Sequence, residues 1–314
     1  MLRLADHWVW DSWTAFDGTH HHLFFLRASR ALQDPDRRHL RASVGHARST
    51  DLRSWELLPD ALVPADPDAW DDQATWTGSV VRADDGSWRM FYTGVSRADR
   101  GLVQRVGVAR SDDLVTWHRD PGPVTAADPR LYETLDQGDW FDEAWRDPWV
   151  LRDPDGDGWH MLVTARVRTG DPAGRSVVGH AVSADLERWE VRPPLTAPAG
   201  FGQVEVPQVA VVDGLPVLVF SCWPTHLAEA RRRDWRQGGV WVARGEGLLG
   251  PWDMAAARPF AHPSLYAARL VEDPVTGGWA LLGFRDTEDG RFVGEIADPV
   301  PVVRDGDTLR VVAP

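Results

Sequence analysis

Three carboxylates, Asp11, Asp147 and Glu205, stand at nearly the same place in three separate stretches of this chain, each roughly six to nine residues before an Asp/Gly-rich turn; Thr77 holds that place in a fourth stretch. Acids this far apart in sequence act together only if the fold brings the starts of those stretches to one point. Gathered in a partly dry pocket, carboxylates repel one another and cannot all keep ordinary acidities, so at least one is raised enough to serve as a proton donor. Two carboxyls of unlike acidity are the equipment of glycoside hydrolysis, in which one attacks the sugar or activates water and the other protonates the leaving oxygen. Trp10, Trp13, Trp76, Trp145 and Trp149 flank these acids. The C–H face of a sugar ring stacks on aromatic faces of that kind while its hydroxyls find polar partners. Simple packing of a channel wall is the alternative for each.

What would position the acids is a repeat. A short apolar run, an Asp/Gly-rich turn and a second alternating run recur five times: Trp13 to Leu26, Gly78 to Gly94, Pro148 to Ala165, Pro207 to Ser221 and Ala267 to Phe284. Turns fall at Asp17-Gly18, Asp85-Gly86, Asp155-Gly156, Asp213-Gly214 and Thr276-Gly277-Gly278. A second string follows the first three hairpins, Gly45 to Trp55, Gly107 to Trp117 and Gly179 to Trp189, with a weaker copy from Trp241 to Trp252. Each reads as a third strand, a turn capped by Ser and Asp, and a Trp opening the outer strand. Hairpins at a period of about 60–70 residues predict an all-β, five-bladed β-propeller. The first strand of each blade is then innermost, and its start lies at the rim of the central channel. The ring accounts for residues 1–314 as a single catalytic domain, with no C-terminal β-sandwich expected after it.

Composition narrows the partners. The formal net charge is −13, and all 34 basic residues are arginine. An acidic chain without a basic tract argues against nucleic acid or an anionic membrane. Apolar residues come in strand-length runs, none long enough to cross a bilayer. Met1 to Asp11 shows no signal-peptide pattern, and the single cysteine, Cys222, fits a reducing compartment, so the expected location is cytoplasmic. Cys222 itself reads as a buried small residue, and Arg231-Arg232-Arg233 as solvated surface. Asp153 to Gly158 has the look of a calcium loop but lacks the distal glutamate and sits where a hairpin turn is needed. His20, His21 and His22 alternate along a strand and place at most two on one face. No catalytic metal and no cofactor are expected.

At these residues the chain resembles clan J of the glycoside hydrolases, the five-bladed propellers of the invertase/levanase and levansucrase families. Trp10-Asp11-Ser12-Trp13 resembles the levansucrase nucleophile motif, and His22-Leu23-Phe24-Phe25 the invertase strand that follows. Gly45 through Leu62 is similar to an invertase segment. Trp76-Thr77-Gly78-Ser79 resembles the aromatic-Ser-Gly-Ser strand lining the sugar pocket, Arg146-Asp147-Pro148 the Arg-Asp-Pro motif, and Glu205-Val206-Pro207 the Glu-x-Pro motif. Thr14, Val206 and Gln208 depart from the usual neighbours of these motifs.

The resemblance implies a retaining β-fructofuranosidase acting on a small carbohydrate, sucrose or a short fructo-oligosaccharide, by exo cleavage with fructosyl transfer as a further outcome. Asp11 would be the nucleophile, Glu205 the acid/base and Asp147 the group that grips two sugar hydroxyls. Trp10, Trp13, Trp76, Ser79 and Arg146 would bind substrate. Ser79 is expected to hold Asp11 ionised, and apolar Val206 and Pro207 to raise Glu205. Two other classes stay open: an inverting propeller glycosidase or phosphorylase acting on arabinosides, xylosides or mannosides, and a sugar-binding propeller without catalysis.

Overall fold

The five Asp/Gly-rich segments each turn a hairpin. Asp213 and Gly214 both adopt positive φ, 48° and 76°, the two-residue geometry whose twist matches that of the flanking strands. In the first hairpin Asp17 Oδ1 accepts from the amides of Thr19 and His20 at 2.6 and 2.7 Å. Asp153 likewise caps a turn, accepting from the Asp155 amide at 2.9 Å.

The computed structural model describes residues 1–312. The hairpins extend into five antiparallel sheets arranged as the blades of a β-propeller. Blade 1 comprises His7–Phe16, His21–Ser29, Ser43–Ser49 and Glu56–Leu62. Blade 2 comprises Ala74–Arg82, Trp88–Val95, Arg105–Ser111 and His118–Arg119, with Thr125–Ala126 also on its third strand. Blade 3 runs through Trp145–Arg152, Trp159–Arg166, Ser176–Ser183 and Glu190–Arg192. Blade 4 runs through Glu205–Val212, Leu215–Cys222, Gly239–Arg244 and Arg258–Pro259. Blade 5 is built from Leu265–Glu272, Trp279–Glu288, Val300–Asp305 and Thr308–Val311, with Arg291–Ile296 also on its second strand.

The recurring Ser-x-Asp-Leu-x-x-Trp string explains the outer edge. Asp51, Asp113 and Asp185 each accept two backbone amides, from residues two and three further on. The leucine between, Leu52, Leu114 or Leu186, takes a positive φ of 60°, 63° or 67°. That conformation is unfavourable for a branched side chain, and each of these leucines is buried, so the cap and the core hold it there. The Trp that follows packs across to the preceding blade: Trp117 meets Phe24 edge-on at 5.6 Å and Trp189 meets Phe91 at 5.3 Å. In blade 4 the pattern fails. Gly245-Glu246-Gly247 replaces the Ser/Asp cap, and the outer strand starts at Arg258 rather than just after Trp252.

Blades 5 and 1 close the ring. Leu2 pairs with Ile296, and Arg53 holds buried Asp273 with both Nη atoms, at 3.1 and 2.7 Å. Apolar clusters fill the seams between blades. Cys222 is buried in blade 4. Arg231 is no solvated surface residue: from the helix Glu229–Asp234 it donates to the carbonyls of Ala199, Met254, Ala255 and Ala257 and lies 4.2 Å from the centre of the Phe201 ring. No helix among the described residues is long and apolar enough to cross a membrane.

Candidate active site

Every innermost strand carries a bulge at the same height. Pairing with the second strand slips between Trp10 and Ser12, Trp76 and Gly78, Arg146 and Trp149, Glu205 and Gln208, and Tyr266 and Arg269. Asp11, Asp147, Val206 and Ala267 take positive φ at the bulge, 29°, 59°, 52° and 45°. Pro148 and Pro207 have no amide to offer the ladder and are tolerated where pairing is already broken. A bulge interrupts the alternation of side chains. Consecutive residues therefore both face the channel: Trp10 with Asp11, Trp76 with Thr77, Arg146 with Asp147, and Glu205 with Val206 all line one cavity.

The slips sort the inner-strand residues into layers. Trp10, Trp76, Arg146, Glu205 and Tyr266 form the outer one; Asp11, Thr77, Asp147, Val206 and Ala267 form the next; Trp13, Ser79, Trp149, Gln208 and Arg269 form a third, floor layer that does not itself line the cavity. Glu205 thus stands one step nearer the rim than Asp11 and Asp147, not at the same offset. Its side chain keeps 18% exposure against 5% for Asp147.

Arg146 knits the acids together. Its Nη2 lies 2.9 Å from Glu205 Oε1 and its Nε 3.5 Å from Asp147 Oδ2, while Gln104, Gln203 and Asp142 take the remaining donor directions. Asp147 Oδ2 also accepts from Thr164 Oγ1 at 2.7 Å and from the Val206 amide at 3.2 Å. Asp11 Oδ2 accepts from Thr77 Oγ1 at 2.5 Å. The other oxygen of Glu205 receives the Tyr266 hydroxyl, and the Tyr266 ring stacks on Trp223 at 4.5 Å.

Burial and the neighbouring Asp147 push the Asp11 carboxyl up to about 7, against the pull of the Thr77 hydroxyl. Burial also raises Asp147, with Arg146 opposing. Although burial works against its charge, Arg146 is held above its ordinary range by Asp142, Asp147 and Glu205. Burial and the Glu205 charge raise the Tyr266 phenol, so it stays a donor. His39 is pushed down to about 3 by burial and by Arg38 and Arg146, and is neutral near pH 7.

The cavity, about 450 Å³, brings together Asp11, Asp147, Glu205, Trp10, Trp76 and Arg146. Trp13 and Ser79 lie outside it. Trp13, in the floor layer, is 1% exposed and stacks on Phe24; Ser79 Oγ accepts the Val150 amide at 3.1 Å, in the seam to blade 3. The hydroxyl on Asp11 belongs to Thr77 instead. Nor is Glu205 wrapped in apolar groups, since both its oxygens face donors, and the acid pushed up to about 7 is Asp11.

Sequence reasoning missed Tyr266, Arg38, His39, Trp223 and His226, all of which line the cavity. Extending the layer of Trp10, Trp76, Arg146 and Glu205 to the fifth blade finds Tyr266. Arg38 and His39 come from the 3₁₀ segment Pro35–Arg41, pinned over the rim where Trp76 Nε1 donates to the His39 carbonyl at 2.7 Å; no repeat marks them. Among the described residues no group of three or more His, Cys, Asp or Glu side chains is placed to hold a metal ion.

Residues 12–246 match the Glycosyl hydrolases family 32 N-terminal domain. Beta-fructofuranosidase 1 of Zea mays is 32% identical over 78% of this chain and 39% of its own length. Acid beta-fructofuranosidase 4, vacuolar, of Arabidopsis thaliana is 25% identical over 78% of this chain and 38% of its own. The chain thus spans about two fifths of the length of these curated relatives. Among solved structures, an inulosucrase from Halalkalicoccus jeotgali bound to kestose superposes with a TM-score of 0.81 at 22% identity, covering 99% of this chain and 90% of that one. Bacillus subtilis levansucrase gives 0.75 at 17% identity, over 98% and 86%. At these identities the likeness is one of fold.

Proposed function

The chain belongs to glycosyl hydrolase family 32, and from that premise we propose that it is a retaining β-fructofuranosidase that removes terminal fructosyl units from sucrose or short fructo-oligosaccharides. The observation that carries this is the convergence of Asp11, Asp147 and Glu205 on one cavity, with Arg146 bridging the latter two.

The layered geometry suits the division of labour. Asp11, deeper, attacks the anomeric carbon and forms a covalent fructosyl ester; Glu205, one layer nearer the mouth, meets the leaving oxygen on its way out, protonates it, and then deprotonates water. Sugar hydroxyls that donate to Asp147 offset the repulsion it exerts on Asp11, which is the second cause, after burial, of the raised Asp11. Asp147 accepts from two ring hydroxyls, bonds that strengthen as positive charge develops on the ring. Tyr266 and Arg146 fix the rotamer of Glu205. Fructosyl transfer follows when a second sugar rather than water takes the place above the ester.

The test is a panel of sucrose, short inulins, levan and aryl pentosides, with product anomers followed by NMR from the first turnover. Release of β-fructose before mutarotation, without a ladder of intermediate oligomers from a polymer, is expected. Preferential turnover of arabinosides or xylosides with inversion would overturn the assignment.

A further inference from the structure

Three rings on the Glu205 side of the cavity have no role in the chemistry described so far. Phe141 comes from the connection between blades 2 and 3, and Trp223 and His226 from the one that follows the second strand of blade 4; all three line the cavity. Phe141 is 60% exposed, so its face is open to be covered. His226 is held from behind. Trp140 meets it edge-on at 5.7 Å and is itself covered by the Arg166 guanidinium, 3.9 Å from the ring centre; Phe141 lies 6.5 Å from the His226 ring. The His226 carbonyl accepts the Gly202 amide at 2.6 Å, which ties it to the run leading into Glu205. His226 Nδ1 is sealed in without a partner, so Nε2 is the nitrogen the ring can offer to the cavity. Burial, opposed by the Glu205 charge, holds this imidazole below its ordinary range; neutral near pH 7, it can give or take a hydrogen bond. Trp223 stacks on Tyr266, the donor to Glu205. Gln203 accepts from Arg146, which also holds Glu205. The rings are therefore joined to the acid/base from two directions.

We propose that Phe141, Trp223 and His226 bind the sugar on the leaving side of the bond: the glucosyl unit that departs from sucrose, and the acceptor sugar that replaces it in transfer. Glu205 stands in the outer layer, so the oxygen it protonates, and the unit attached to that oxygen, lie level with this wall rather than with Asp11. Phe141 and Trp223 present apolar faces to the C–H side of that unit, and His226 Nε2 reaches one of its hydroxyls. In transfer, the acceptor's hydroxyl oxygen bonds to the anomeric carbon as the ester bond from that carbon to Asp11 breaks, and the hydroxyl proton passes to Glu205. Occupancy of the wall thus sets how often a sugar rather than water receives the fructosyl unit.

This inference rests on the fructosidase reading, and its test separates the two. Sucrose is compared with methyl β-fructofuranoside, whose leaving group is too small to reach the wall. His226→Phe keeps a ring against Trp140 and removes the nitrogen; Phe141→Ala removes an exposed face, where substitution spares the fold. In each, kcat/KM for sucrose relative to the methyl fructoside falls about fivefold. The ratio of transfer to hydrolysis at high sucrose, read as oligosaccharide against free fructose, falls with it. Should His226→Phe not fold, Phe141→Ala decides alone. An equal loss on the two substrates, or a transfer ratio that stays at the wild-type value, overturns the proposal. Wild-type protein that prefers arabinosides or xylosides removes the fructosidase reading instead, and the wall is then judged by the same comparison between a disaccharide and the methyl glycoside of the preferred sugar.

Discussion

Replacing Asp11 by asparagine should make the protein more stable, and increasingly so as the pH rises. The carboxyl is pushed from 3.8 up to about 7 in the fold. Below about pH 4 it is protonated in both the native and unfolded chain, and the substitution is nearly neutral. Between about pH 4 and 7 the unfolded chain releases its proton and the native state keeps it, so wild type loses stability relative to the variant; above about 7 both are ionised and the gap is constant. At about 1.36 kcal/mol per pH unit, a dry site would give a gap of ~4 kcal/mol; Asp11 is half-buried beside a cavity open to water, which screens this to roughly 2 kcal/mol. For 314 residues, at ~2.1 cal/mol/K of unfolding entropy per residue, that is a Tm gain of about 3 °C. The Thr77 hydroxyl donates equally well to an amide oxygen, so no partner is lost. Thermal unfolding of both proteins from pH 4.5 to 8.5 is the assay. A gap that is absent, negative or independent of pH would refute the electrostatic account of the site.

Glu205→Gln should lose turnover of sucrose by about 10³-fold or more, because an amide cannot protonate the leaving oxygen; with an aryl fructoside it should give a burst of phenol and then stall, visible in stopped-flow. Tyr266→Phe keeps the ring on Trp223 and removes only the donor to Glu205, so kcat should fall about tenfold with Tm little changed. Arg231→Ala removes a charged anchor on four carbonyls and should lower Tm by about 5 °C while the activity of the folded fraction is retained, as calorimetry and initial rates will show.

The blades were legible because their signals are local: a turn glycine, a Ser/Asp cap, a Trp three residues after a leucine. Where the cap is missing, at Gly245-Glu246-Gly247, the Trp252 signal sets the outer strand of blade 4 too early, since the strand begins at Arg258. The three acids were legible as a common offset before the turns, but the offset could not see the bulges. The offset therefore sets Glu205 level with Asp11 and offers Ser79, two residues beyond Thr77 in its strand, as the donor. The first difference is of the kind a one-residue slip produces; the second arises because the bulge at Thr77, and not the residue count, decides which hydroxyl faces Asp11. Trp13 looked like a wall from its neighbours in sequence, yet strand geometry carries it below the cavity and onto Phe24. Arg38 and His39 arrive from a connection whose path over the rim depends on tertiary contacts, such as Trp76 with the His39 carbonyl, that no short motif encodes.

The central claim is that a fructosyl unit passes through a covalent bond to Asp11. Its most direct test is mass spectrometry of peptic fragments after an acid quench of Glu205→Gln reacting with an aryl β-fructofuranoside. The account predicts that the fragment containing Asp11, and no other, gains the mass of one anhydrohexose, with the label gone in Asp11→Asn/Glu205→Gln. A label on Asp147, or no labelled fragment together with product of inverted configuration, would contradict it.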